Sequence, residues 1–414
     1  QPSLRVCAEA GAMLRRRQPA SGSTRPPARG PVNVRGNRLK RDIVIDYLRS
    51  AVTVAVVAHH SALAYNTFSH YNPSHYMKST APIVDTVRFA PLDPLVGWND
   101  IFFMSLMFVI SGLFVGPSIA RKGVGRFLGD RVKRLGIPFV VSAALLSPVA
   151  HYPSWLLSDA AGQGSFLTRF FTIDGGHAGP AWFIWVLLAF CILVAMGYKF
   201  RPKLMKKLSW SVKSESSLVF VFLGVSLMAT LPVYLFVTTA DWFQLAGPVF
   251  LPAWRCLLYF AWFLLGVAIG SANPERSLSR ENLRLWPLWV AFGALGYTAH
   301  GLLSVGICFA NAPPWAMKLA LAAAFCFCCT FTNLGAFGFA RAFFRANWPP
   351  ADHFSENAYG VYIFHYVFVI WAQFALLSQP VPAAAKFLIT LTVALTASWL
   401  LTALLRKTAA GKIL

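Results

Sequence analysis

The sequence predicts an all-α fold, a polytopic transmembrane bundle of about ten spans with both termini cytoplasmic. Three observations predict it: an apolar surplus too large for one soluble core, apolar runs as long as a bilayer is thick, and basic residues gathered in alternate connections. Of the 414 residues 57% are hydrophobic, 15% aromatic and only 13% charged, where a soluble domain carries roughly 25% charged residues. The formal net charge of +22 raises nucleic acid as a partner. The Lys and Arg residues sit in short segments between apolar runs, however, and form no continuous basic face, so topology explains them and no nucleic acid is expected.

Apolar runs can be drawn at about 43 to 66, 98 to 118, 135 to 152, 181 to 199, 217 to 236, 250 to 272, 286 to 309, 317 to 340, 359 to 378 and 384 to 405. Each approaches the ~20 residues a helix needs to cross a bilayer. With a cytoplasmic N-terminus, the inside connections are RKGVGRFLGDRVKR, KFRPKLMKKLSWSVK, NPERSLSRENLR, the stretch around Arg341 and Arg345, and the LRKTAAGK tail. All are basic, and the outside connections are poor in Lys and Arg, as the positive-inside rule requires.

Two domains are read. Residues 1 to 40, including LRRRQPASGSTRPPARGPVNVRGNRLK, are rich in Arg, Pro, Gly and Ser and lack an apolar h-region. They read as a basic disordered tail instead of a signal peptide, and the opening Gln1 suggests a fragment or a misassigned start. Residues 41 to 414 form the transmembrane domain. The seven cysteines include Cys308, Cys326, Cys328 and Cys329 in or beside late apolar runs; they match no metal-ligand spacing and are read as packing residues, with no metal expected. Two long outer connections, 67 to 97 with His70 and His75, and 153 to 180 with DGGHAGP, are candidates to cover a site open to the outer face.

The first span, LRSAVTVAVVAHHSALAY from Leu48 to Tyr65, holds ionisable groups where they are expensive. Arg49 and His60 are eleven positions apart, about 20° past three full turns, so they share a face yet lie roughly 16 Å apart along the axis. Asp46, Arg49, Thr53 and His60 make a polar stripe that should face a protein interior or a wet cavity. Arg49, near the cytoplasmic end, has a competing reading: it snorkels to headgroups with Asp46 as its partner. His60, beyond the midplane, is a group that can take a proton near neutral pH; a core histidine bonded across helices is the alternative. His59 points ~100° away and is the more structural of the pair.

IDYLRSAVTVAVVAHH resembles the first helix of the acyltransferase-3 family of bacterial integral-membrane acyltransferases, with an Arg, ten residues and a His, here Arg49 and His60. WNDIFFMSLMFVISGLF, ending near Ser111, is similar to the family's second-helix segment. FLGDRVKRLGIPF holds its RxxR and proline as Arg131, Arg134 and Pro138, GPAWFIWVLLAF its Trp-Phe helix start, and SENAYGVYIFHYVF its late Ser, Tyr and His. Ser50 stands where the family often has Gly. The resemblance covers about residue 41 to the last helix. It implies transfer of an acyl group of acetyl or succinyl type from acyl-coenzyme A to a hydroxyl of a carbohydrate or glycolipid, in the bacterial inner membrane, with the first-helix histidine essential.

Joined to the residue chemistry, this makes His60 the expected general base and Arg49 its catalytic companion near the inner mouth. Arg126, Arg131 and Arg134 are the expected donor-binding cations, since guanidinium grips phosphate bidentately; positive-inside topology alone would also place them there. Asp46, Ser111, Trp182, Tyr362 and His365 are the further pocket candidates, with His365 placed on the cytoplasmic side, two turns into a span beginning near Tyr359. Arg255 is expected to snorkel at the outer end of the sixth span, contact with an acceptor being its other reading. No permanently bound cofactor is expected; acyl-coenzyme A is a substrate, and the partners are the acceptor and membrane lipids. The alternative function is a polytopic exporter whose polar stripe conducts a solute or protons.

Overall fold

The computed structural model describes residues 42–212, 214–237, 242–272, 274–306 and 312–413. The basic tail 1–40 and Cys308 lie outside the described residues. Ten long helices dominate: α1 (Ile43–Ala62), α2 (Leu92–Leu113), α3 (Val124–Leu156), α4 (Trp182–Phe200), α5 (Glu215–Phe236), α6 (Cys256–Ser271), α7 (Trp286–Ser304), α8 (Pro314–Phe343), α9 (Pro349–Leu376) and α10 (Ala383–Leu405). Among the described residues nine helical segments are long and apolar enough to cross a membrane, and α7 is not one of them. Its Trp, Pro, Tyr and His residues lower its hydropathy, although it is 19 residues long. One antiparallel hairpin, β1 (Trp242–Ala246) with β2 (Val249–Pro252), supplements the helices. Residues 250 to 252, read from the sequence as the start of a span, are strand: the turn at Gly247, with φ 48°, folds them back on β1, and helix begins only at Ala253 after Pro252.

Helix starts explain the largest differences from the sequence reading. α9 begins at Pro349, ten residues before the expected Tyr359, because proline at the first positions needs no amide partner and presets φ for a helix. The polar ADHFSEN segment is therefore helix. α1 begins where Asp42 caps it: its Oδ1 accepts the Val44 amide at 3.1 Å and the Ile45 amide at 3.4 Å. The same carboxylate takes Nη1 and Nη2 of Arg341 at 3.1 and 2.6 Å, tying α1 to α8. α3 is one long helix with wide turns at Val132–Gly136 and Ser142–Leu146, and Pro138, Pro148 and Pro153 bend it.

Close crossings set the helix directions. A Cβ at Gly112 would strike the Phe263 carbonyl, at Gly266 the Val109 carbonyl, and at Gly270 the Leu113 carbonyl. These contacts advance together along both chains, so α2 and α6 are parallel and touch backbone to backbone, the small-residue packing that lets membrane helices associate without a hydrophobic drive. Gly293, Gly296 and Gly338 bring α7 against α8 in the opposite sense. α1 and α9 are parallel: Ser355 lies by the Asp46 carbonyl, while Gln373 Nε2 donates to the carbonyls of His60 and Ser61 at 2.9 and 3.2 Å. Cys326, Cys328 and Cys329 are buried free thiols within α8.

Candidate functional site

The C-terminal end of α1 meets two cavities. One, of about 260 Å³, is walled by α1, α2, α6 and α9 through His59, Asp100, Arg255, Tyr259 and Tyr362. The other, of about 930 Å³, lies under the outer connections and is lined by Tyr76, Lys78, His151, Asp174, His177 and Tyr366 among others. His60, Pro180 and Trp182 line both. His60 thus stands at the seam, two residues before the end of α1.

His60 is held from below and left free at its ring. Gln373 satisfies the terminal carbonyls of α1, which a helix end otherwise leaves without partners. The imidazole Nδ1 has no hydrogen-bond partner. Around it, the rings of His59, His365 and Tyr366 sit with centroids at 5.3, 5.3 and 5.2 Å.

Neighbouring tautomers follow from their bonds. His365 Nδ1 lies 2.7 Å from the Tyr362 carbonyl, which can only accept, so Nδ1 carries the proton and the unpartnered Nε2 is a lone pair. His151 Nδ1 meets the Ser147 carbonyl at 2.8 Å and is likewise protonated. His177 is the reverse: the Gly179 amide donates to its Nδ1 at 2.8 Å. Burial and the neighbouring His151 push the His177 pKa down to about 3. It is neutral, and its Nε2–H is left as a donor.

The DGGHAGP segment can make this wall because Gly175, Gly176 and Gly179 adopt φ of 73°, 69° and 54°, conformations that side chains with a Cβ disfavour. Tyr362 donates its hydroxyl to the Pro180 carbonyl, fixing the segment to α9. Both outer connections cover the larger cavity, and they are stitched together. Tyr76 donates to Asp174 Oδ2 at 2.7 Å, Ser74 to Asp159 Oδ2 at 2.8 Å, and Tyr71 to the Ser154 carbonyl at 2.5 Å. The first connection is also pinned to α10 by a buried ion pair, Lys386 Nζ to Asp85 Oδ2 at 2.6 Å, both side chains only 1% exposed.

The smaller cavity holds a pair that sequence reasoning did not assemble. Arg255 does not snorkel: its side chain is 12% exposed, and Nη2 meets Asp100 Oδ2 at 2.5 Å while Nη1 donates to the Asp100 carbonyl at 2.7 Å. Its guanidinium lies 4.2 Å above the Trp254 ring, a cation–π contact. Asp100 is a carboxylate inside an apolar run, WNDIFF, and that alone is a signal of function in a membrane helix. What no spacing could show is its partner 155 positions away.

Of the expected residues, His60, Trp182 and Tyr362 come together at the cavities. His365 lies beside His60, level with the C-terminal end of α1 and further along its helix than the expected two turns, because α9 begins ten residues before Tyr359. Arg49 keeps to the other end of α1, with Nη2 3.3 Å from Asp46 Oδ1 and its side chain 41% exposed. Thr53 donates back to the Arg49 carbonyl at 3.1 Å. Arg126 and Arg134 are exposed, Arg131 stacks over Phe127 at 5.1 Å, and Ser111 is half-buried on α2. None of these lines either of the two cavities.

A bundle of apolar helices around a chamber lined by histidines defines an integral-membrane protein. A family model described as an acyltransferase domain, acyltransferase-3, matches residues 42–403, and the chain belongs to that family. It is a multi-pass membrane acyltransferase. No curated protein and no solved structure matches the chain.

Proposed function

We propose that the protein moves an acyl group of acetyl or succinyl type from acyl-coenzyme A to a hydroxyl of a cell-envelope carbohydrate or glycolipid, with His60 as general base, in the bacterial inner membrane. The observation that carries this is the free Nδ1 of His60 at the seam of the two cavities. In the step, His60 takes the proton of the acceptor hydroxyl as its oxygen bonds to the thioester carbonyl carbon. The carbon–sulfur bond then breaks, and the thiolate leaves with the proton that the imidazolium returns. General-base help of this sort contributes about 10² to 10⁴ in rate, and positioning supplies more.

The donor approaches from the basic inner side. Arg126, Arg131 and Arg134 bind its phosphates, and Arg49 guides the pantetheine arm along α1. Ten crossings with both termini cytoplasmic agree with the parallel α1–α9 and α2–α6 pairs and the antiparallel α7–α8 pair, as strict alternation requires. The larger cavity, open among polar and aromatic side chains, suits a glycan.

The test is single-turnover transfer from radiolabelled acetyl-coenzyme A by protein in nanodiscs, with cell-envelope glycans as acceptors. Wild type consumes thioester and labels the glycan, and His60→Gln does neither while retaining donor binding. Solute flux without thioester consumption would instead establish the exporter.

A further inference from the structure

The Asp100–Arg255 pair is more than a helix tie. Its arginine is largely occupied at Nη1 and Nη2: Asp100 Oδ2, the Asp100 carbonyl, the Tyr259 hydroxyl at 3.5 Å and the face of Trp254 surround it, and the buried Nε is left over. The carboxylate is not. Asp100 keeps 46% of its side chain exposed and lines the smaller cavity. The group offered most openly to a ligand is therefore a fixed hydrogen-bond acceptor, Asp100, with the less exposed Arg255 lining the same cavity behind it. The exposed carboxylate oxygens suit a neutral ligand that brings hydroxyl donors.

A second acceptor faces the same space. His59 is 8% exposed, and its Nδ1 has no partner. An unpartnered ring nitrogen in a cavity wall is open to a ligand hydroxyl. The remaining walls are aromatic, with Trp182 stacked on Tyr259 at 6.0 Å and Trp254 beneath the arginine. Flat apolar faces beside two acceptors match a pyranose ring, which presents C–H faces and O–H edges.

We propose that this chamber seats the acceptor sugar, with Asp100 gripping the hydroxyl next to the one that is acylated and Arg255 acting as the positioning residue that holds the carboxylate. His60, lining the same chamber, then meets only the neighbouring hydroxyl, so Asp100 sets which position is acylated. This rests on the acyltransferase reading above but is tested apart from turnover. Because α2 and α6 touch at Gly112 and Gly266, the two side chains keep their register whether or not a ligand is present.

The experiment uses the full chain in nanodiscs, with a set of methyl hexopyranosides and their monodeoxy analogues as probes, and binding read by saturation-transfer NMR. The expected result is that at least one glycoside binds, that one deoxy analogue binds roughly 10- to 100-fold more weakly, as loss of a hydrogen bond to a charged group predicts, and that Asp100→Asn shows the same loss with no additional deoxy penalty. Acetyl-coenzyme A binding is unchanged in Asp100→Asn, and Arg255→Lys retains part of the sugar affinity. Failure of every glycoside to bind wild type overturns the proposal, as does an undiminished deoxy penalty in Asp100→Asn. If His60→Gln still transfers acyl groups, the acyltransfer mechanism falls while the sugar site stands.

Discussion

The two ends of α1 solve opposite problems with the same kinds of residue. At the N-terminal end the side chains are tied to other elements or to one another: Asp42 by two amides and Arg341, Arg49 Nη2 by Asp46, and Tyr47 by the Trp348 main chain, whose amide it accepts at 2.9 Å, with Arg49 Nε the buried nitrogen left over. At the C-terminal end His59 Nδ1, His60 Nδ1 and His365 Nε2 are buried without partners. Leaving a buried polar atom unmade costs about 1–3 kcal/mol, so the C-terminal end, with three such nitrogens in and around it, carries the larger burden. A satisfied polar group anchors, and an unsatisfied one within a cavity waits for a substrate.

Substitutions at each end should separate these roles. The largest expected effect is at the outer end: His60→Ala lowers kcat about 10²- to 10⁴-fold while donor binding and the thermal midpoint hold, measured by stopped-flow turnover and by light scattering on heating. An equal loss of stability would make His60 an anchor like those at the inner end. Next comes Lys386→Met, which leaves Asp85 buried and unpaired at a cost of about 3–5 kcal/mol. The thermal midpoint should drop and protease should cut the 67–91 connection, and adding Asp85→Leu should recover most of both. Asp42→Ala removes a cap worth about 0.5–2 kcal/mol and strands Arg341. The expected outcome is a lower midpoint with unchanged kcat per folded molecule. The smallest effect concerns pH. With its pKa depressed to about 3, His177 stays neutral until the pH falls to that value, so His177→Gln should leave the acid limb of kcat between pH 5 and 7 where it is in wild type.

Much of this was legible in the sequence for simple reasons. Span length and charge alternation are imposed by the bilayer on every helix, so they are written locally in each. His60 was legible for the same reason, an ionisable group in an apolar run. The start of α9 was not: polar ADHFSEN reads as loop, and only the pairing of its neighbours with α1 reveals the helix. Nor were the Asp100–Arg255 and Asp85–Lys386 pairs, because their members are separated by 155 and 301 positions, and nothing local records which charge will answer which. The hairpin was hidden by its apolar composition, which strand and buried helix share.

The glycine crossing of α2 and α6 has one more implication. Helices whose carbonyl oxygens rest against each other's Cα atoms cannot slide or part without losing that contact along its whole length, so this half of the bundle behaves as a single stiff beam. Any widening that admits a bulky ligand must then come from the laced connections and the hairpin, and tethering those two by an engineered crosslink would narrow the opening while the beam stays as it was.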